Sequence, residues 1–329
     1  MTRENGATGE QSLDAGVIGV GSMGAHHARV YSELPNVTLA AVADVDREQA
    51  GAVASRYGTR SLTTDDLVDR VDVATIAVPT ANHYDVAREC IDRGVDVLVE
   101  KPLVDDVERG HRLARRAREA GVTLQVGHIE RFNPAVRALE DILPDLDVVA
   151  VDVQRLGPPL DRDVSDSVVY DLMVHDIDLL FHLLDSDIDS LTATAANDQH
   201  VSAQLSFADG SIGELTASRL TQQKVRTLAV TAMECRVTAD FINQSVEIHR
   251  QSLPEYVEQN GDVRYRHESV VERPVVDTGN PLKRELQSFL DAVRDGTTPA
   301  VTAEDGLRVI EVADRIESEA LGLPREVSQ

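Results

Sequence analysis

Ala15-Gly16-Val17-Ile18-Gly19-Val20-Gly21-Ser22-Met23-Gly24 is an apolar run that breaks into a Gly-x-Gly-x-x-Gly turn, and helical spacing follows it through Leu34. A glycine turn alone is common. This one has the surroundings that a dinucleotide loop requires: a strand before, a helix after, and Asp44 at the end of the next strand, Val37–Ala43, twenty residues beyond Gly24. Gly19 permits the tight turn, Gly21 lets the backbone approach a pyrophosphate, and Gly24 allows helix and strand to pack closely. Ser22 and Met23 complete the turn at the helix N-terminus, where free amides and the helix dipole favour an anion. Asp44 offers acceptors to both ribose hydroxyls and repels a 2′-phosphate. That favours NAD over NADP, with Arg47 nearby moderating the preference.

Outward from this loop, apolar runs rich in Val, Ala and Ile recur at Ala15–Val20, Val37–Ala43, Val71–Val78, Val95–Val99 and Val122–Val126. Stretches of helical period lie between them, such as Asp105–Ala120 with Val107, Leu113 and Ala114 against an Arg-rich face. Apolar strands alternating with helices indicate a parallel sheet buried on both faces. Ligands of such sheets bind beyond the strand carboxyl ends. Val78, Pro79, Thr80, His83, Glu100 and Lys101 are therefore expected at the cofactor edge, with Asn82 capping the helix that follows. Lys101 stands out because only three of the 32 Lys and Arg residues are lysines, the others being Lys224 and Lys283. Lysine loses a proton near neutral pH when desolvated, and arginine in practice does not. A lysine at the exit of a buried strand on the cofactor edge is a candidate for acid/base chemistry. The alternative is a chance lysine at a strand end.

Beyond about residue 130 the pattern changes. Phe132–Leu143 reads as a linking helix with Asn133-Pro134 as cap and first turn. Strand-like segments follow at Val148–Gln154, Leu191–Ala196, Val201–Phe207, Ile212–Ser218, Val225–Ala232, Arg236–Ala239 and Val246–His249, with turns such as Ala208-Asp209-Gly210. Helices over about Pro281–Arg294 and Thr302–Leu321 close the chain. The fold class expected is α/β: an N-terminal doubly wound parallel Rossmann sheet, then an α+β domain with a large, mostly antiparallel open sheet. Residues 1–13 are read as a disordered leader, 14–130 as the NAD-binding domain and 131–329 as the α+β domain, with helices 281–321 able to pack back on the first. One helix, Val168–Leu184, places Asp171, His175 and Asp178 at i, i+4, i+7 on a shared face. An Asp four residues from a His can orient it and make it more basic. A salt-bridged surface helix reads equally well from the spacing, and Asp176 with Asp185–Asp189 shows how freely this chain spends acids. With one His on that face and no second ligand motif, no metal is expected.

Asp and Glu total 57 against 32 Lys and Arg, a net charge of −25 spread along the chain. Such a charge opposes nucleic acid and anionic lipid as partners. Its even spread suggests a surface adapted to very high salt, where screening removes the self-repulsion. Cys90 and Cys235 lack metal-ligand spacing and read as buried thiols of a reducing compartment. No apolar run has the length of a membrane span and the N-terminus has no secretory pattern, so a cytoplasmic location is expected.

These residues carry a pattern. GVIGVGSMGAHHARVY (16–31), VLVEKPL (97–103) and Asp171-Leu-Met-Val-His175-Asp-Ile-Asp178 resemble the Gfo/Idh/MocA family of NAD(P)-dependent sugar and inositol oxidoreductases, from about residue 14 to 322. The family's usual glycine before the His is Val174 here. Val126–Pro134 and Asn280–Leu286 look like the branch that includes UDP-N-acetylglucosamine 3-dehydrogenases. The resemblance implies an enzyme in which a sugar hydroxyl is deprotonated while its carbon gives hydride to NAD, the carbon being C3 in that branch. It implies Lys101 and His175 as acid/base residues with Asp171 orienting His175, and Lys101, Arg131, Asn133, Asp171 and His175 against the substrate. A helix cap and a surface charge are the plainer readings of Asn133 and Arg131. Which of Lys101 and His175 accepts the proton stays open. A free-sugar or inositol dehydrogenase is the alternative, and a non-catalytic NAD-sensing regulator a remote one, since a sensor needs neither Lys101 nor Asp171/His175. The resemblance also makes 131–329 the substrate-binding and oligomerisation domain and implies a homodimer or homotetramer through its open sheet.

Overall fold

The computed structural model describes residues 12–159, 167–251, 255–259, 262–266 and 268–322. Contacts divide the chain into two units, Met1–His128 with Leu282–Leu307, and Ile129–Pro281 with Arg308–Gln329. In the first unit the elements are β1 (Leu13–Ile18), α1 (Ser22–Glu33), β2 (Val37–Ala43), α2 (Arg47–Tyr57), β3 (Arg60–Leu62), α3 (Thr64–Val68), β4 (Val73–Ile76), α4 (His83–Asp92), β5 (Asp96–Glu100), α5 (Val107–Ala120) and β6 (Leu124–Gly127). All strands pair in parallel in the order β3-β2-β1-β4-β5-β6, so the order reverses between β1 and β4. That reversal is where a doubly wound sheet opens a crevice. The inner strands β1, β4 and β5 are buried from Ala15 to Ile18, Val73 to Ile76 and Val97 to Glu100, as a sheet covered on both faces requires.

Three details differ from expectation. Leu13, counted with the leader, is the first residue of β1 and pairs with Val37; the rest of that leader up to residue 11 lies outside the described residues. The strand ends at Ile18 rather than Val20 because Gly19 takes φ +83°. Strand β3 has three residues, too short to show a period.

The second unit begins with α6 (Pro134–Ile142), β7 (Val148–Leu156), a π turn over Val169–Met173 and α7 (Val174–Leu184). Then come β8 (Ile188–Asn197), β9 (His200–Phe207), β10 (Ile212–Ser218), β11 (Val225–Ala232), β12 (Arg236–Asp240), β13 (Ser245–Gln251), the hairpin β14 (Glu255–Gln259) and β15 (Asp262–Arg266), and β16 (Ser269–Glu272). Eight strands form one sheet in the order β16-β13-β12-β11-β7-β10-β9-β8. Only β7 and β10 pair in parallel; the other neighbours are antiparallel. One face packs on α6 and α7 through Val151, Val153, Leu215, Leu228, Ile177 and Leu180. The opposite face carries small polar side chains, among them Thr192, Thr194, Ser202, Gln204 and Thr216. β14, β15 and β16 escaped the sequence reading.

Helices α8 (Pro281–Asp295) and α9 (Ala303–Leu321) end the described chain. Residues 282–307 belong to the first unit. There the amide of Val126 donates to Val301 O at 3.1 Å, and Gly306 sits so close to Val126 that a Cβ would lie 2.9 Å from its side chain.

Candidate cofactor cleft and catalytic residues

In the first unit the glycine turn is shaped by contact as much as by dihedral. A Cβ on Gly24 would sit 1.8 Å from Gly19 O, so only glycine lets α1 start this close to the end of β1. Gly21 is the N-cap of α1, and no acidic residue occupies the first turn to compete with an anion. The Asp44 carboxylate accepts from the amides of Val20 at 2.7 Å and Asp46 at 2.9 Å. Gln49 Nε2 donates to Val20 O at 2.6 Å. These bonds fasten the loop to the end of β2. A carboxylate has about four lone-pair directions, so Asp44 keeps acceptors for two ribose hydroxyls.

A cleft of about 610 Å³ opens at this switch point, lined by Gly19, Gly21, Asp44, Val45, Gln49, Thr64, Val78, Pro79, Asn82 and Asp85 among others. The residues present therefore fit a dinucleotide: a tight glycine cradle, an acid-free helix start and an acid at the ribose position. Ser22 is exposed and Met23 half-buried in the first turn of α1, and Thr80 is half-buried in the short turn before α4. Asn82 holds the N-cap position of α4 but makes no side-chain cap bond; it lines the cleft instead. Val45, Gln49, Thr64 and Asp85 were not found from sequence. Gln49 had a usable signal, lying one helical turn into the helix that follows Asp44.

His83 and Glu100 are buried and spent inside the protein. His83 Nε2 lies 2.8 Å from Val78 O and Nδ1 2.9 Å from Pro102 O, so the ring spans two neighbouring strand ends. Glu100 Oε1 lies 2.7 Å from Nε2 of His27, a fully buried residue of α1, and Oε2 accepts from the Lys101 amide at 3.2 Å. Burial pushes the Glu100 carboxyl up, but the His27 hydrogen bond and the charges of His27 and Lys101 outweigh it and hold the group below the usual glutamate range. Lys101 itself is half-buried, the first residue past β5, and precedes Pro102 through a cis peptide. Its backbone is thus held from α1 through Glu100 and from α4 through His83.

In the second unit the acidic helix differs most from expectation. Asp171 lies in the π turn and accepts from Arg219 Nη2 at 2.6 Å; His175 follows in the first turn of α7, and both are half-buried. Asp178 does not share their exposure. It is fully buried and takes three contacts from Arg131 at 2.6–3.0 Å. Nor is Asp176 a surface acid: fully buried, it takes Arg155 Nε at 2.8 and 3.0 Å, while Arg155 Nη1 donates to Glu130 at 2.8 Å. Burial pushes Asp176 above the usual aspartate range despite Arg155. Burial also pushes on Glu130, yet there the Arg155 charge prevails and the carboxyl is held low. Arg131 is therefore no surface charge. Asn133 caps α6, accepting from Ala135 N at 3.1 Å and donating to Phe241 O at 3.1 Å. Among the described residues no group of three His, Cys, Asp or Glu is placed to hold a metal ion. No described helix is long and apolar enough to cross a membrane.

Comparison with known proteins places this geometry. The profile of an oxidoreductase family with an NAD-binding Rossmann fold matches residues 13–128, and that of the GFO/IDH/MocA C-terminal domain matches 149–238. UDP-N-acetylglucosamine 3-dehydrogenase of Acidithiobacillus ferrooxidans is 31% identical over 248 residues, 73% of this chain and 77% of that protein. Its solved structure matches with TM-score 0.84 at 28% identity, covering 95% of this chain and 99% of that one. Inositol 2-dehydrogenase of Rhizobium meliloti is 27% identical over 321 residues, covering 91% of this chain and 94% of that protein.

Proposed function

The chain belongs to the Gfo/Idh/MocA family of NAD-binding oxidoreductases, and on that premise we propose that it oxidises C3 of a UDP-N-acetylhexosamine. The observation that carries this reading is its likeness to UDP-N-acetylglucosamine 3-dehydrogenase, with TM-score 0.84 over 95% of the chain. Bound NAD supplies the hydride acceptor. We assign proton transfer from the reacting hydroxyl to Lys101 or His175, with Asp171 orienting the imidazole. Two arrangements support the assignment. The Lys101 amide donates to Glu100, which fixes the backbone of the lysine at the carboxyl end of β5. Asp171, one turn before His175, is itself fixed by Arg219. A positioned acid or base of this kind contributes about 10²–10⁴-fold to rate. This reading puts the enzyme in a reducing cytoplasm, where Cys90 and Cys235 stay as buried free thiols, and pairs copies through the polar sheet face.

A second reading, an inositol 2-dehydrogenase, is favoured by relatives that align over more of the chain. One assay separates them: NADH formation in molar KCl with UDP-N-acetylglucosamine, UDP-N-acetylgalactosamine, free aldoses and inositols. Turnover of UDP-sugars with little of the rest is expected. Turnover confined to inositols or free aldoses sinks the first reading.

A further inference from the structure

The helix-covered face of the eight-stranded sheet is apolar along most of its length and changes character at one end. Inward positions run Val151, Val153, Arg155 on β7, and Leu215, Ala217 on β10 with Arg219 next in step. On β11, antiparallel to β7, they run Val230, Leu228, Arg226. Arg226 faces Arg155 in register, and Arg155 faces Ala217. Three neighbouring strands thus gather three guanidiniums at the same end.

Two of these are committed. Arg155 is fully buried between Asp176 and Glu130, and Arg219 holds Asp171. Arg226 is half-buried, and among the described residues its guanidinium has no hydrogen-bond or ion-pair partner. Glu130, Asp176 and Asp171 act on it only as more distant charges. Burial first, and repulsion from Arg155 second, hold its pKa below the ordinary arginine value. Lys224, exposed, lies two residues before it. A desolvated guanidinium with five N–H donors and no acceptor favours a ligand that brings anionic oxygens in a planar or tetrahedral array.

We propose that Arg226 receives the diphosphate of a nucleotide-sugar substrate, an inference that rests on the reading given above. For an inositol or a free aldose, both uncharged, a half-buried cation at this end of the sheet would be a net cost, since burial and Arg155 outweigh the distant carboxylates. For a UDP-sugar it is the complementary charge that a protein of net charge −25 otherwise withholds. Asp171 and, one turn later, His175 belong to the same end, because Asp171 is bonded to Arg219. The diphosphate on Arg226 would therefore hold the sugar on that side of the sheet.

The test is calorimetric titration of the NAD-saturated enzyme with UDP at one fixed KCl concentration, comparing wild type, Arg226→Gln and Arg226→Lys. The expected result is at least a tenfold loss of UDP affinity in Arg226→Gln and partial recovery in Arg226→Lys. The KM for UDP-N-acetylglucosamine should rise in parallel and the KM for NAD should stay unchanged. Undiminished UDP affinity in a folded Arg226→Gln overturns the inference, as does a wild type that binds no UDP. Should Arg226→Gln not fold, Arg226→Lys decides alone: affinity equal to wild type for both UDP and UDP-N-acetylglucosamine would count against the forked contact. The two ideas fail separately. UDP-sugar turnover with UDP binding indifferent to Arg226 leaves the proposed function standing. UDP binding through Arg226 without UDP-sugar turnover leaves the anion site standing and removes the function.

Discussion

Arg131 is the residue for which sequence and structure point to opposite experiments. If it touched the sugar, removing it would raise a KM; the structure instead commits it to Asp178 beneath α7. The Arg131 side chain is 8% exposed and that of Asp178 fully buried, with all three N–O contacts at 3.0 Å or less. Arg131→Met keeps the length and removes the charge, leaving a carboxylate in the core without its counter-ion. Breaking a buried pair from one side costs about 3–5 kcal/mol. For a unit of this size each kcal/mol lowers the unfolding midpoint by about 2–4 °C, so a fall of about 6–20 °C is expected. Removing both charges in Arg131→Met/Asp178→Leu should recover most of that loss, because a well-packed apolar pair avoids the desolvation of both ions. Scanning calorimetry of the single variants and the double variant in molar KCl reads the midpoint, and sugar and NAD KM are measured well below it. Salt should change the deficit little, since a buried pair is weakly screened. A midpoint within 2 °C of wild type together with a large rise in sugar KM would refute this reasoning and return Arg131 to the substrate.

Three further outcomes are expected. Lys101→Arg keeps the charge but cannot give up its proton near neutral pH, so kcat should drop at least 100-fold with NAD affinity little changed; retained turnover would take this lysine out of the chemistry. Asp44→Ala should raise the KM for NAD more than that for NADP, and also loosen the glycine loop, because Val20 loses its acceptor; equal losses for both cofactors would break the ribose argument. Glu100, held below its ordinary value when folded, contributes stability that is present above the unfolded glutamate pKa and lost as pH falls through the folded one. The isosteric Glu100→Gln should therefore flatten the fall in melting temperature between about pH 5 and pH 3, and an unaltered acid limb would contradict the ion-pair account.

The parallel sheet was legible because its strands are continuous apolar runs and its turn chemistry is local. The glycine positions, Asp44 and the strand end before Lys101 all lie within a few residues of the features that announce them. What escaped depends on partners remote in the chain. Asp176 and Asp178 looked like surface acids because this chain places acids almost everywhere, and only Arg155 and Arg131, 21 and 47 residues upstream, make them core residues. A trace was available: the alternation Val151-Asp152-Val153-Gln154-Arg155 puts an arginine in an inward slot, as Arg226-Thr227-Leu228 does again on β11. The π turn under Asp171 left no trace, since hydrophobic spacing cannot distinguish a five-residue bulge from an ordinary turn. His83 read as a cofactor contact because it follows Val78-Pro79, although its ring bonds backbone carbonyls.

That ring has a mechanical consequence. With its ring between the carbonyls of Val78 and Pro102, His83 couples one wall of the nucleotide cleft to the peptide just past Lys101, donating to one oxygen as a neutral ring and to both as an imidazolium. A breathing motion that lifted Val78 and Pro79 would drag the lysine turn along, so that wall behaves as a stiff jamb. The opposite rim, with Val45 fully exposed and Gln49 holding on by its bond to Val20 O, is the compliant door. We expect amide exchange to be faster along residues 45–49 than along 78–83 and to slow on the door side when NAD is added. Entry and exit of the nucleotide would then leave the aim of Lys101 undisturbed.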